Sequence, residues 1–288
     1  MCKHTISLAL FLVSSFLVKA QKVSEPQNTP ADWSKPYPPF KIVGNLYYVG
    51  SYDLACYLIT TTQGNLLINT GLASSASLIK ANIETLGFKF SDTKILLITQ
   101  AHFDHAGAMA TIKKLTGARM LVNGKDADVM ETGGSSDYAL GGRGSTYEPV
   151  SADSLLKDGD IIRLGSMQIT MLHHPGHTKG SSSFLFSIND SRKVYRVLIA
   201  NMPTIVTEKS FDAVTEYPDI ARDYKYTLNA MKKVSFDIWL SSHASQFKLH
   251  DKHRPGQQYN PPVFVDRKGY DAVLKDLQNE LSKKIKKK

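Results

Sequence analysis

The sequence predicts an α/β fold with two β-sheets face to face and helices on their outer sides, a four-layer αβ/βα sandwich. Two observations predict it. Each half of the chain has strand patterns followed by a helical pattern, and layers of this kind bury the apolar face of each element against the next. The 288 residues, 42% hydrophobic and 21% charged, are also enough to build a large core without disulfide bonds.

The first twenty residues are typical of a cleavable secretory signal peptide. Lys3 and His4 precede an almost wholly apolar run, Ile6–Val18, and small or apolar residues allow a cut after Ala20. A membrane anchor is the alternative, but this run is short for a bilayer. We therefore expect residues 1–20 to be a signal peptide, residues 21–288 to form the domain, and the protein to be periplasmic.

The remaining composition argues against several other classes of protein. Cys56 is the single cysteine left after signal removal, so no internal disulfide can form, and its apolar surroundings indicate a core residue. The lysine-rich end, residues 283–288, carries no interleaved aromatic residues, which favours a solvated helix end over a site for nucleic acid. We expect no nucleic-acid partner, no membrane contact after cleavage, and a monomer.

The first half begins with a proline-rich lead-in, residues 21–40, and then alternates strands and helices. Apolar strand patterns occur at Leu46–Val49, Ala55–Thr60, Asn65–Asn69, Lys94–Thr99 and Met120–Val122. Helical spacing occurs at Ser74–Leu86, Ala108–Leu115 and Asp126–Met130. The glycine- and serine-rich residues 133–149 predict a long mobile loop that could wall a binding site.

The second half repeats this arrangement. Strands are predicted at Ile161–Leu164, Met167–Leu172, Ser183–Ser187, Tyr195–Ile199 and Phe236–Leu240. A helix is predicted at Ile220–Lys232, and a last helix carries one apolar stripe from Tyr270 to Ile285.

A cluster of metal-binding side chains directly follows the buried strand Lys94–Thr99. Within the segment Gln100–Gly107, the residues His102, Asp104 and His105 are three good ligands for a metal such as zinc. Each of these residues on its own could have a structural role instead: a single His is often a surface or core residue, and Asp104 could cap the following helix. Three coordinating side chains in four residues after a strand have few structural uses, so the cluster predicts a metal site.

Two later segments repeat this pattern of a histidine placed after a strand. His177 follows a Pro-Gly turn after Met167–Leu172, and His243 follows Phe236–Leu240. We expect His173 and His174 to have supporting or core roles because adjacent side chains point in opposite directions. The last two histidines in the chain, in the charged stretch 248–254, are expected at the surface.

These residues resemble the metallo-β-lactamase superfamily, whose motif is His-x-His-x-Asp-His followed by separate later histidines. The similarity is greatest to class B, subclass 3 β-lactamases, and among these to the GOB group, which has Gln at the first motif position, as Gln100 here. The similarity runs from about Pro26 nearly to the C-terminus. It includes the phrases Asn45–Gly71, Asp137–Tyr138, His173–Gly180 and Asn201–Pro203.

The resemblance implies the metallo-β-lactamase fold and one or two zinc ions. One ion would be held by Gln100, His102 and His177, and the other by Asp104, His105 and His243. Because an amide oxygen is a weaker zinc ligand than an imidazole, we expect the first site to bind metal more loosely than the second. We therefore expect the second site alone to be able to support turnover.

The resemblance also implies the reaction, hydrolysis of the amide bond of a small β-lactam substrate, with Asp104 as both ligand and catalytic residue. Lactonases and glyoxalase II of the same superfamily have a bridging Asp, but Asn201–Thr204 contains none. Met202 and Thr204 are candidate substrate contacts; Met202 replaces a common Ser. A lactonase, a glyoxalase II-like enzyme and a non-catalytic zinc-binding protein remain alternatives.

Overall fold

The computed structural model describes residues 25–26, 28–142, 146–191 and 193–286. The predicted signal peptide, residues 1–20, lies outside these ranges, as do part of the glycine-rich loop and the last two lysines. The cleavage site and the domain boundary at residue 21 therefore stay predictions.

The first sheet contains seven strands in chain order. They are β1 (Phe40–Val43), β2 (Leu46–Tyr48), β3 (Tyr57–Thr61), β4 (Gly64–Ile68), β5 (Thr93–Leu97), β6 (Arg119–Asn123) and β7 (Ser154–Leu156). Strands β1 to β4 pair antiparallel, and β4 to β7 pair parallel. The parallel strands are joined by crossovers, as parallel pairing requires.

The second sheet contains five strands in the order β12-β11-β10-β9-β8. They are β8 (Ile161–Leu164), β9 (Met167–His173), β10 (Ser182–Asp190), β11 (Lys193–Ala200) and β12 (Ile238–Ser241). The pairings are antiparallel except for that of β11 with β12, which is parallel.

Seven α-helices complete the described part of the chain. They are α1 (Ala76–Thr85), α2 (Phe103–Ala106), α3 (Met109–Thr116), α4 (Ala127–Glu131), α5 (Ile220–Lys233), α6 (Leu249–Lys252) and α7 (Arg267–Lys286). Apolar residues of α1 and α3 pack with the first sheet, and those of α5 and α7 pack with the second. The predicted four-layer αβ/βα sandwich is confirmed.

Alternating side chains of the central strands supply both faces of each sheet. In β5, Ile95 and Leu97 belong to the core between the sheets, whereas Leu96 packs toward α1 and α3. Because successive strand residues point to opposite faces, an uninterrupted apolar run is what a strand covered on both sides needs. Cys56 is buried in the outer layer, as predicted.

The structure corrects three expectations from the sequence. Strands β1 and β7 were not predicted: β1 follows a proline-rich lead-in, and β7 has only three residues. His250 and His253 are not free surface residues, because His250 stacks on Tyr52 at 3.7 Å between ring centroids and His253 stacks on Phe40 at 3.6 Å. Aromatic partners distant in sequence thus cover these two rings.

Two backbone hydrogen bonds join the sheets at one end of the sandwich. The N–H of Ser182 donates to the carbonyl of Thr99 at 2.7 Å, and the N–H of Ala55 donates to the carbonyl of Ser242 at 3.0 Å. Both bonds join residues that lie at or just beyond strand ends of the two sheets, and these are the ends from which the predicted metal-binding loops start. Across the described ranges, every helix is too short or too polar to cross a bilayer.

Candidate metal centre

The three predicted metal-binding segments each start where a strand stops. The loop after β5 carries Gln100 to His105, the loop after β9 carries His177, and the loop after β12 carries His243. Loops at strand ends are held by a rigid sheet while their side chains converge. The site is therefore assembled from both sheets.

A short helical turn orients the first segment. His102 has an extended backbone and precedes α2, and Asp104 and His105 lie in the first turn of that helix. This differs from the extended loop that we expected, in which residues two apart share a side. Neighbours in a helix diverge by about 100°, so Asp104 and His105 point in different directions, whereas His102 leaves from the extended backbone before the helix.

Asp104, His105 and His243 form one compact group. Their ligand atoms lie within 4.8 Å of one another. Oδ2 of Asp104 lies 3.3 Å from Nε2 of His105 and 3.4 Å from Nε2 of His243. One carboxylate and two imidazoles at these separations suit a zinc ion, and three protein ligands leave a position open for water or substrate.

His102 and His177 form a second group beside the first. Their ring centroids are 4.9 Å apart. Gln100, two residues before His102, is buried, and its Oε1 has no hydrogen-bond partner. The resemblance assigned these three residues to one ion; the structure brings the two imidazoles side by side, and the assignment stays a prediction.

Three of the four imidazoles are held at the nitrogen that faces away from the group. Nδ1 of His177 donates to the carbonyl of Thr204 at 2.8 Å. Nδ1 of His243 lies 3.0 Å from Oδ2 of Asp53. In both rings Nδ1 carries a proton, so Nε2 is the nitrogen through which each ring would bind a metal. Outer partners of this kind fix the tautomer and orientation of metal-binding histidines.

His102 is held by a carboxylate on the opposite nitrogen. Its Nε2 lies 3.4 Å from Oδ1 of Asp137, in the glycine-rich loop. Asp137 also accepts backbone N–H groups from Ala139 and Leu140 at 2.9 and 2.7 Å. The contact leaves Nδ1 of His102 for coordination and gives the glycine-rich loop a role in supporting the site.

The charge states of the group suit a divalent cation. Burial disfavours the ionised form of Asp104, but His105 and His243 outweigh it and hold the pKa of the carboxyl well below its usual range. Burial lowers the pKa of His105, and it lowers the pKa of His177 to about 3. Burial also acts against protonation of His243, but hydrogen bonds to Asp104 and Asp53 raise its pKa to about 9. Metal binding would therefore displace a proton from His243.

Unpartnered buried atoms are the strongest sign that this pocket fits a metal. Oε1 of Gln100 and the two ring nitrogens of His105 are buried without a hydrogen-bond partner. Buried polar groups are nearly always hydrogen-bonded, so orphans in one pocket require an explanation. Coordination to a cation would satisfy Oε1 of Gln100 and Nε2 of His105, the ring nitrogen that lies 3.3 Å from Asp104.

The two candidate substrate residues have contacts within the protein, and their contact with substrate stays a prediction. Met202 is 1% exposed and belongs to the large hydrophobic cluster that includes residues of both sheets. Thr204 is partly exposed, but its Oγ1 lies 3.1 Å from Nδ1 of His177. Its carbonyl also accepts a hydrogen bond from the hydroxyl of Tyr224 at 2.9 Å. Thr204 thus supports His177 instead of pointing into open space.

His173 and His174 have the supporting roles that the sequence suggested. Nδ1 of His173 lies 2.8 Å from Nδ2 of Asn123, and Nδ1 of His174 lies 2.8 Å from Oγ of Ser183. Burial lowers the pKa of His174 to about 4, so this ring is neutral. Neither ring belongs to the two groups above.

Several contributing residues were missed in the sequence. Asp53, Asp126 and Asp137 are carboxylates beside the ligand-bearing loops. Trp33 packs on the His243 ring at 5.6 Å between ring centroids and forms an apolar wall. Asp137 lies in a segment that resembles the family, and this similarity could have indicated its role. Nothing in the local sequence marks Asp53, Asp126 or Trp33 as part of the site.

Comparison with known proteins agrees with this geometry. Residues 54–190 match the metallo-beta-lactamase superfamily. The class B3 di-zinc metallo-beta-lactamase LRA-12, from an Alaskan soil metagenome, is 64% identical, with a TM-score of 0.90 over 91% of this chain and 100% of that one. The metallo-beta-lactamase GOB-18 of Elizabethkingia meningoseptica is 55% identical, with a TM-score of 0.92 over 94% of this chain and 100% of that one.

More distant sequence relatives carry other activities. A probable hydroxyacylglutathione hydrolase of Schizosaccharomyces pombe is 26% identical over 156 residues, which are 54% of this chain and 52% of that protein. The chain thus spans about half the length of the curated relatives it matches, whereas the similar solved structures are matched over their whole length. The chain is therefore an enzyme of the metallo-β-lactamase superfamily.

Proposed function

We propose that this protein is a zinc-dependent β-lactamase that hydrolyses the amide bond of penicillins, cephalosporins and carbapenems. The observation that carries the proposal is the compact Asp104–His105–His243 group, whose ligand atoms lie within 4.8 Å of one another. It occurs in a chain 64% identical to a class B3 di-zinc metallo-beta-lactamase along that enzyme's whole length. His102, His177 and Gln100 would hold a second ion.

Zinc held by these residues would supply a Lewis acid and would lower the pKa of water in the site toward neutrality. Asp104 remains anionic, so its carboxylate can accept a hydrogen bond from the attacking water and orient it. Asp53 and the carbonyl of Thr204 fix the rings of His243 and His177. Trp33 packs against one side of the His243 ring. Fixed groups of this kind need little reorganisation as charge develops in the reaction.

The choice of substrate class depends on the loop after β11. In glyoxalase II and lactonases of this superfamily an Asp bridges the two metals, and here Asn201–Thr204 offers no carboxylate. An amide side chain supplies no negative charge to a second cation. This favours the β-lactamase over hydrolysis of a glutathione thioester, which the more distant relatives suggest.

Hydrolysis of a substrate panel tests the proposal. The purified protein, loaded with zinc, would be assayed with a penicillin, a cephalosporin, a carbapenem, a homoserine lactone and S-lactoylglutathione. We expect β-lactam hydrolysis that a chelator abolishes and added zinc restores. Preference for the lactone or the thioester, or activity that survives complete metal removal, would refute the proposal.

The two ion sites should differ in affinity because Gln100 offers a neutral amide oxygen. We predict two steps in a calorimetric zinc titration, the tighter one belonging to Asp104, His105 and His243. Replacing the amide by imidazole in Gln100→His should tighten the weaker step by about tenfold, since imidazole suits zinc better than an amide oxygen. Two equally tight sites in the unaltered protein would contradict this prediction.

We further propose that the enzyme is exported to the periplasm as a monomer after removal of residues 1–20. Expression of the whole chain in a Gram-negative host should give periplasmic protein whose N-terminus, read by mass spectrometry, is Gln21. A chain that keeps its first twenty residues in the membrane fraction would indicate an anchor instead. Sedimentation of the purified protein tests its oligomeric state.

A further inference from the structure

The carboxylate of Asp126 connects two of the metal-binding loops without belonging to either of them. Asp126 precedes α4 and is 1% exposed, but its side chain does not cap that helix. Its Oδ2 accepts the N–H of Ala101 at 3.1 Å and the hydroxyl of Thr178 at 2.7 Å. Its Oδ1 accepts the N–H of Gly180 at 2.6 Å. A buried carboxylate that accepts hydrogen bonds from three donors in other segments of the chain holds those segments together.

Asp126 bonds to both loops at points next to ligands of one ion site. Ala101 lies between Gln100 and His102, and Thr178 directly follows His177. Asp126 therefore fixes the distance between the loop after β5 and the loop after β9 at points next to these ligands. The oxygens of Asp126 bond to neither the loop after β12 nor its His243, which is held instead by Asp53 at 3.0 Å.

The packing around Asp126 allows little adjustment. A Cβ on Gly180 would lie 2.5 Å from the backbone nitrogen of Asp126 and 2.6 Å from its Cγ, so only glycine permits this approach. On the other side, Oγ of Ser181 accepts the N–H of Thr178 and lies 2.8 Å from its hydroxyl. The loop after β9 is thus fixed against Asp126 by backbone as well as side-chain contacts.

We infer that Asp126 is a positioning residue that sets the metal affinity of the Gln100–His102–His177 site and leaves that of the Asp104–His105–His243 site unchanged. The inference rests on the proposed function only for the assignment of metal ligands. Partners beyond the ligands commonly change metal affinity by about 10- to 100-fold. Asp126 would thus affect the metal affinity of one site, and Asp53 would affect that of the other.

Site-resolved zinc titration tests the inference. In the mature chain labelled with ¹⁵N, long-range ¹H–¹⁵N correlation spectra report each histidine ring nitrogen as zinc is added. In Asp126→Asn, which replaces one acceptor oxygen by a donor, we expect the zinc dissociation constant seen at His102 and His177 to rise about 10- to 100-fold. The response of His105 and His243 should be unchanged.

Two further variants sharpen the comparison. Asp53→Asn should give the converse result, weakening the site seen at His105 and His243. Asp153→Asn is the matched control, because Asp153 also accepts a backbone N–H, from Met120 at 2.7 Å, but lies apart from the ligand-bearing loops. Equal weakening of both sites in Asp126→Asn, or no change in either, would overturn the inference.

A milder substitution covers the case in which Asp126→Asn does not fold. Thr178→Val keeps the side-chain shape and removes the hydroxyl that donates to Asp126 and contacts Oγ of Ser181. It should shift the His102 and His177 response alone, by a smaller factor. An unselective or absent shift in Thr178→Val would also overturn the inference. Because the spectra report binding, a protein that hydrolyses no β-lactam would refute the proposed function without deciding this question.

Discussion

Asp104→Asn should reduce kcat for β-lactam hydrolysis by at least about 100-fold, because residues outside the coordination sphere alone commonly account for factors of about 10 to 100. The substitution removes the only negative charge among the proposed ligands. It also replaces a carboxylate placed 3.3 and 3.4 Å from the Nε2 atoms of His105 and His243 by a neutral amide. Steady-state kinetics with a chromogenic cephalosporin, with zinc content measured on the same samples, provides the test.

The matched control is Asp276→Asn, an exposed carboxylate on α7 for which the same change of charge should leave both kcat and zinc content unaltered. Saturating zinc separates two causes of lost activity. If activity returns at high zinc, Asp104 acts mainly through affinity; if it stays low with both sites filled, the carboxylate also orients the nucleophile. A variant with wild-type kcat at normal zinc content would remove Asp104 from the mechanism.

The six proposed ligands could be located from sequence because strong local patterns precede them. Gln100 to His105 follow the apolar run of β5, and His177 and His243 follow equally clear strands. A strand buried on both faces fixes where its chain leaves the sheet, so a polar side chain just beyond the end has a defined place. The pairing of His102 with His177, and of His105 with His243, came from the resemblance and agrees with ring-centroid distances of 4.9 Å in both pairs.

The supporting residues could not be located in the same way. Asp53, Asp126 and Asp137 lie in turns or before a helix, where aspartate is common for local reasons. Their partners on the ligand-bearing loops are 25 to 192 residues away in the chain, and a local sequence pattern cannot indicate contacts over such separations. The role of Met202 is equally hard to predict, because whether the side chain after a strand faces the cleft or the core depends on the turn that follows.

Gly107 connects the fold to the metal site, because it ends the segment that carries Asp104 and His105. A Cβ at this position would lie 2.4 Å from the nitrogen of Ala73, 2.5 Å from the carbonyl carbon of Leu72 and 2.7 Å from the oxygen of Phe103. All three are backbone atoms, which cannot turn aside as a flexible side chain can. The N–H of Gly107 also donates to the carbonyl of Gly71 at 2.9 Å.

Gly107→Ala should therefore destabilise the protein by about 3 kcal/mol, the upper end of the range for overpacking. The methyl group forces α2 away from the turn at residues 71–73, and this displaces Asp104 and His105 together. We expect weaker zinc binding at their site in addition to the lower stability. Urea denaturation of the metal-free protein measures the first effect, and calorimetric zinc titration measures the second.

Gly124→Ala separates these effects from the general cost of a glycine substitution. A Cβ on Gly124 meets nothing closer than 3.7 Å, so its stability change should stay within about 0.5 kcal/mol, as at other open surface positions. Zinc affinity should also be unchanged. If Gly107→Ala matched this control in both measurements, the close packing of α2 against the turn would not be what holds Asp104 and His105 in place. If it lost stability but bound zinc normally, the pocket would tolerate movement of α2, and the metal site would depend less on backbone packing than its geometry indicates.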